Sequence, residues 1–145
     1  MPREGMEEGA IPPRDVGPGF FGRLFRRLRE TDEERLAAET REWAASVRGC
    51  STIAGAPTRK RARIAAVVRR ITVRPAEGHE AVEAVLSDGT GEIAAVWMGR
   101  RSIPGMSLGT RMVLDGVLGD AARGEPKKMV NPRFEFAAAD TTEPP

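Results

Sequence analysis

The clearest hydrophobic pattern in the chain is a two-residue alternation over residues 80–97, EAVEAVLSDGTGEIAAVW. Val82, Ala84 and Leu86 fall on one face, followed by Ile93, Ala95 and Trp97. Ala81, Glu83 and Val85 fall on the other, followed by Glu92, Ala94, Val96 and Met98. Successive strand side chains point to opposite faces, so this period predicts two half-buried antiparallel strands. Asp88-Gly89-Thr90-Gly91 between them supplies turn residues, and the whole reads as a β-hairpin.

Three more strands follow the same logic. Residues 60–74, KRARIAAVVRRITVR, predict a long first strand. Ile64, Ala66 and Val68 alternate, whereas Ile71 and Val73 are one residue out of phase. The change at Arg69-Arg70 predicts a β-bulge. Pro75 to His79 read as a loop, and residues 99–109 as a connection across the end of the sheet. Residues 110–118 predict strand four, with Met112, Leu114 and Gly116 on one face; 119–126 are a loop. Residues 127–136 predict strand five, interrupted at Pro132, which has no amide proton for a ladder. A bulged first strand suits a small barrel that bends from one sheet into the next.

Ahead of the strands the period changes. Within residues 19–29, Phe21, Leu24, Phe25 and Leu28 share one helical face and Arg23, Arg26, Arg27 and Arg29 the rest. Thr31-Asp32-Glu33-Glu34 reads as a helix start, with Thr31 capping and Glu34 reaching back. Leu36, Thr40, Trp43 and Val47 continue at helical spacing, and Gly49 is the stop. This pattern predicts two helical pieces or one kinked helix. The organisation is then a disordered segment 1–18, helices over 19–49, a linker over 50–58, a barrel over 59–136 and a disordered tail 137–145.

Charge sharpens this picture. Residues 1–58 carry 9 Lys/Arg against 10 Asp/Glu, while residues 59–136 carry 14 against 9. The strand-forming part is the basic part, which suits a polyanionic partner. Cys50 is the single cysteine, so neither an internal disulfide nor a cysteine zinc site can form. No stretch approaches the roughly 18 apolar residues of a membrane span, and no signal-peptide core precedes Phe20. A cytoplasmic protein is expected.

Several segments in order carry a family likeness. They are Val68-Arg69 with Ile71-Thr72-Val73-Arg74-Pro75, Ser87-Asp88-Gly89-Thr90-Gly91, and Val96-Trp97-Met98-Gly99-Arg100-Arg101. Ile103-Pro104-Gly105, Gly109, Gly116 and Asn131-Pro132-Arg133-Phe134-Glu135 complete the series. Together they resemble small actinobacterial nucleic-acid-binding proteins of the oligonucleotide/oligosaccharide-binding (OB) fold. More distantly they are similar to the wedge barrel of bacterial branch-migration helicases. The resemblance covers residues 20–136 and implies a mostly β protein. Its architecture would be a five-stranded OB-fold Greek-key barrel preceded by one or two N-terminal α-helices, with disordered ends. It brings no enzymatic activity.

OB barrels bind across strands two and three. By the resemblance, the ligand face holds Glu83, Val85 and Ser87 on strand two, and Glu92, Ala94 and Val96 on strand three. That face has no ring on which a base could stack, and its glutamates repel phosphate. Trp97 shares the phase of Ile93 and Ala95, which assigns it to the core rather than to a stacking platform. Phe134 and Phe136 share a phase and are assigned to the core as well. Arginines and lysines are the better candidates for nucleic-acid contact. These are Arg69, Arg70 and Arg74 at the bulge and following loop, and Arg100 and Arg101 after strand three. Arg123, Lys127, Lys128 and Arg133 join them from the last loop and strand five.

Other chemistry is weakly represented. The Asp88-Gly-Thr-Gly segment is turn chemistry, with Asp88 bonding its own turn. His79 is the single histidine, and no phosphate loop of the Walker type is present. No enzyme, metal, cofactor or small-molecule substrate is expected. The expected partner is single-stranded DNA or RNA, bound weakly and with little sequence preference. The alternative is a protein–protein interaction module that uses the barrel and the helix around Phe20–Arg29. Membrane contact is not expected, because Asp32, Glu33 and Glu34 follow that basic helix directly.

Overall fold

Every alternating segment forms a strand, and the inward phases of the strands meet in one core. The computed structural model describes residues 3–76 and 78–137, with side chains from Gly22 onward except that of Ala76. It divides into two units at Leu36/Ala37. The elements are α1 (Arg3–Ser46), β1 (Arg61–Ala76), β2 (His79–Ser87), β3 (Glu92–Met98), β4 (Arg111–Gly119), β5 (Lys127–Val130) and β6 (Arg133–Phe136).

Strand β1 serves two partners. Arg61–Val67 pair with β4, and Val67–Ala76 pair with β2, both antiparallel. β2 pairs with β3 antiparallel, and β3 with β5 in parallel. β4 then pairs with both β5 and β6. The order β1-β2-β3-β5-β4 therefore returns to β1, and the sheet is a closed ring of strands. β5 and β6 are the two halves of the expected fifth strand, separated at Asn131-Pro132.

The expected bulge is present, as a register shift between Val68 and Arg70. Val68 faces inward opposite Leu86, Arg70 turns outward opposite Val85, and Ile71 returns inward opposite Ala84. The inward positions Ile64, Val68, Val82, Leu86, Ile93, Met112, Leu114, Leu118 and Met129 are fully buried. Burial of each such side chain contributes roughly 1.5–3 kcal/mol, so this layer dominates stability. Trp97 joins it at 4% exposure. Its ring meets Phe134 edge-on at 5.6 Å, and its Nε1 donates to the Pro132 carbonyl at 3.1 Å.

Four expectations need correction. Pro75 to His79 is not a loop: Pro75 pairs with Glu80 and Ala76 with His79, so the strands run almost to the turn. Phe136 shares the inward phase but is 40% exposed, because the strand ends there and the ring lies against Gly105. Thr31 does not start a helix. It lies within α1, and its hydroxyl donates back to the Arg27 carbonyl at 3.0 Å. The surrounding Arg/Glu-rich sequence contains no residue that stops a helix, and a mid-helix threonine satisfies its hydroxyl in this way. α1 is thus one element, and in the first unit its Leu24, Phe25, Leu28 and Leu36 are exposed. α1 includes the backbone of residues 3–18, for which a disordered segment was expected; the side chains of residues 1–21 lie outside the described part, as does the expected tail from residue 138.

The fourth correction concerns residues 50–58, which are more than a linker. Ile53 and Ala56 are 2% and 3% exposed and belong to the core cluster. Asp88, the buried polar side chain at 2% exposure, binds this segment to the hairpin turn. Its Oδ2 accepts the Ile53 amide at 2.8 Å. Its Oδ1 accepts the Thr90 amide at 2.9 Å and the Thr90 hydroxyl at 2.6 Å. The bond of Asp88 to its own turn is as expected; the bond to Ile53 is additional.

In the second unit the last turns of α1 lie over the same hairpin turn. Arg41 donates to the Gly89 carbonyl at 3.2 Å, and Arg111 sits 4.9 Å from the Trp43 ring centroid. Gly89 has φ +86°, and a Cβ there would lie 2.7 Å from the Ala37 carbonyl oxygen. Gly49 ends the turn after α1 with φ +81°, as its position predicts.

Two substitutions test this corner. Asp88→Ala leaves the buried Ile53 amide without an acceptor and should lower unfolding free energy by about 2–3 kcal/mol in urea titration. Gly89→Ala combines a positive φ with a clash against helix backbone and should cost about 1–3 kcal/mol in the same assay. Wild-type midpoints for both variants would remove the corner from the account.

Candidate functional site

Closing a sheet gives each strand an inward and an outward phase, and here the outward phases build two different surfaces. The first comes from the second half of β1 with β2, β3 and β5. Register places Arg70, Val85, Ala94 and Lys128 in one row. Thr72, Glu83, Val96 and Val130 form the next, and Arg74, Ala81 and Met98 the last. Ala81, Val85 and Ala94 are 3%, 5% and 2% exposed although they lie outside the core cluster. Small side chains surrounded by long ones make a sunken apolar floor. Arg70, Arg74, Lys128, Met98 and Val130 stand exposed around it.

Glu83 occupies the middle of this surface. Its side chain is 13% exposed, and its Oε1 lies 3.0 Å from the Arg74 guanidinium. Glu83 has no other hydrogen-bond or ion-pair partner among the described residues. Ser87 keeps the outward phase expected of it, opposite Glu92, and its hydroxyl accepts the Gly89 amide at 3.1 Å within the turn. Glu92 is exposed beside it. No aromatic ring lies in these rows.

The second surface comes from the first half of β1 with β4 and β6; its Arg61 and Arg63 are paired with acids, while Arg133 has no ion-pair partner among the described residues. Asp115 lies 2.9 Å from Arg61 and 3.8 Å from Arg63, and Glu135 lies 2.9 Å from Arg63. Arg63, Val113, Asp115, Arg133, Phe134 and Glu135 line a hollow of about 360 Å³. Cys50 lies beside Arg63, but burial pushes its thiol up, against the lowering effect of the arginine. A nucleophilic cysteine needs the opposite shift, so Cys50 is not an activated thiol.

The nine basic residues singled out from the sequence separate accordingly. Arg70, Arg74 and Lys128 share the first surface, and Arg69 stands exposed in the bulge at its edge. Arg70, Arg69, Lys128 and Arg100 have no ion-pair partner among the described residues. Arg100 and Arg101 follow the end of β3, where Arg101 is held by Glu80. Arg123 is exposed in the loop before β5. Lys127 faces the other way, its Nζ 3.5 Å from the Ile53 carbonyl and 3.3 Å from that of Ala56. It satisfies buried backbone acceptors. Arg133 lies on the second surface.

Sequence reasoning missed the paired network of Arg61, Arg63, Asp115 and Glu135. Its signal was the alternation of Arg61 and Arg63 on the outward phase of β1. It also missed the Arg74–Glu83 pair, because the register that makes them diagonal neighbours depends on the bulge. Among the described residues no group of three or more His, Cys, Asp or Glu is placed to hold a metal ion. No helix of the described residues is long and apolar enough to cross a membrane.

The raised Cys50 pKa has a kinetic consequence. At a given pH less thiolate is present than on an ordinary cysteine, so alkylation by iodoacetamide at pH 8 should be slower than for a model thiol. The rate should keep rising above pH 9. A rate equal to the model thiol with a plateau below that pH would contradict the burial. No protein-family model matches the chain, and no curated protein matches it in sequence.

Proposed function

We propose that the ring of strands is an OB-fold barrel and that the protein is a non-catalytic, cytoplasmic binder of single-stranded DNA or RNA. The OB reading rests on strand order and on the bulged β1 shared between β2 and β4. The observation that carries the binding reading is the contrast between the two outward surfaces. Arg61 and Arg63 are neutralised by Asp115 and Glu135, whereas Arg69, Arg70 and Lys128 are left unpaired around the floor of the β2–β3 surface. Unpaired cations at the rim of an apolar trough suit a backbone phosphate above and a base below.

Binding of this kind is weak and tolerant of sequence. Without rings, each base lacks the stacking worth roughly 1–3 kcal/mol, and phosphate contacts carry the affinity. Four contacts, from Arg69, Arg70, Arg100 and Lys128, give a log K against log salt slope near −3 for a single strand, at about 0.7 per phosphate.

A second reading has its own support. Met98 and Val130 are 44% and 56% exposed on the same surface, and an apolar patch without rings also suits a protein partner.

Fluorescence anisotropy with labelled oligo-dT separates the two. The wild type should bind with a slope near −3, and the Arg69→Ala/Arg70→Ala/Lys128→Ala variant should fall to about −1. Binding with an unchanged slope would move the site elsewhere. No binding at low salt would favour the protein-partner reading.

A further inference from the structure

A carboxylate in the middle of a phosphate-binding surface looks like a defect. Its position suggests a use. Glu83 is 13% exposed and flanked in register by Thr72 on β1 and Val96 on β3. Val85 and Ala81, two residues away on either side, form the floor. The Arg74 guanidinium lies 3.0 Å from Oε1 and offsets the charge of the carboxylate. Apart from Arg74, Glu83 has no hydrogen-bond or ion-pair partner among the described residues. The site therefore presents the two carboxylate oxygens of Glu83 above an apolar surface, with Arg70 and Arg74 standing on either side of Thr72.

Base edges differ in how they meet two acceptors side by side. Guanine offers two adjacent donors, N1–H and the N2 amino group. Adenine and cytosine each offer one amino donor beside a ring-nitrogen acceptor, which repels a carboxylate. Thymine and uracil offer one N–H between two carbonyl oxygens. Only guanine satisfies both carboxylate oxygens without a repulsive contact.

We propose that Glu83 reads a guanine base on the β2–β3 surface. Arg74, paired with the carboxylate, is the positioning residue. This inference rests on the single-strand reading above, and adds one base-selective position to an otherwise tolerant site. A free guanine nucleotide carries the same two donors, so the source of the guanine is part of the test.

The experiment uses the full chain and labelled nine-nucleotide oligo-dT strands with a central deoxyguanosine, deoxyadenosine, deoxycytidine, thymidine or deoxyinosine. The deoxyguanosine strand should bind at least about fivefold tighter than the others, as one good bidentate pair provides. Deoxyinosine, which lacks the N2 amino group, should lose most of that gain with the wild-type protein, so this arm is independent of any variant's folding. Glu83→Gln and Glu83→Asp should abolish the preference while oligo-dT still binds. GMP competing at a concentration comparable to the strand would assign the site to free nucleotide; competition by strand alone assigns it to nucleic acid. Equal binding of all five strands, or a preference that survives Glu83→Gln, overturns the guanine inference and leaves the single-strand reading intact. Failure of every strand to bind at low salt overturns both.

Discussion

The architecture depends on one strand having two partners. β1 is long enough to pair with β4 through its first half and with β2 through its second, and the sheet closes only because both pairings are made. A flat strand cannot do this, since its two halves would lie in one plane. The bulge between Val68 and Arg70 supplies the bend. The same irregularity has a chemical consequence. It leaves Arg69 unpaired and exposed, and it turns Arg70 outward beside Val85, at the rim of the β2–β3 surface. Fold closure and the candidate site thus share a residue pair.

Closure also needs its end filled. The hairpin turn between β2 and β3 is tied to the segment before β1 by the Asp88 carboxylate, which accepts one amide from each and the Thr90 hydroxyl. Lys127 holds the same segment from β5 through two carbonyls. Among the described residues each buried side-chain nitrogen or oxygen has a partner, which is the condition for burying them at all. A lysine recruited for this is unavailable to a ligand. That explains why Lys127 and Lys128, adjacent in sequence, have unrelated roles: the strand period sends them to opposite sides.

Local pattern made much of this legible. The hairpin, the bulge, the split at Pro132 and the inward phase of Trp97 all followed from two-residue alternation and backbone chemistry. What escaped were features set by contacts distant in sequence. Ile53 and Ala56 looked like part of a connector because nothing within residues 50–58 signals that Asp88, 35 positions later, will accept the Ile53 amide. Thr31 looked like a cap because Thr-x-x-Glu is a capping pattern, yet the helical residues before it were equally favourable. The basic candidates were correctly placed on strands and loops, but their pairing could not be read. Arg74 with Glu83, Arg101 with Glu80 and the Arg63–Glu135 pair all depend on register. Alternation alone leaves the register of the first strand open past a bulge.

The two outward surfaces differ in what has been done with their charge. On β1, β4 and β6, Arg61 and Arg63 are neutralised by Asp115 and Glu135. On β2, β3 and β5 a sunken floor of small residues is rimmed by Arg70 and Lys128, which have no ion-pair partner among the described residues, and by Arg74, which is paired with Glu83. The proposed single-strand site is the β2–β3 surface. The most direct measurement is an amide chemical-shift titration of the isotopically labelled protein with unlabelled oligo-dT. The account predicts shifts at Arg70, Glu83, Val85, Ala94 and Lys128, with Arg63, Asp115 and Glu135 unmoved. Shifts confined to the residues of β4 and β6, or none at saturating oligonucleotide, would contradict it.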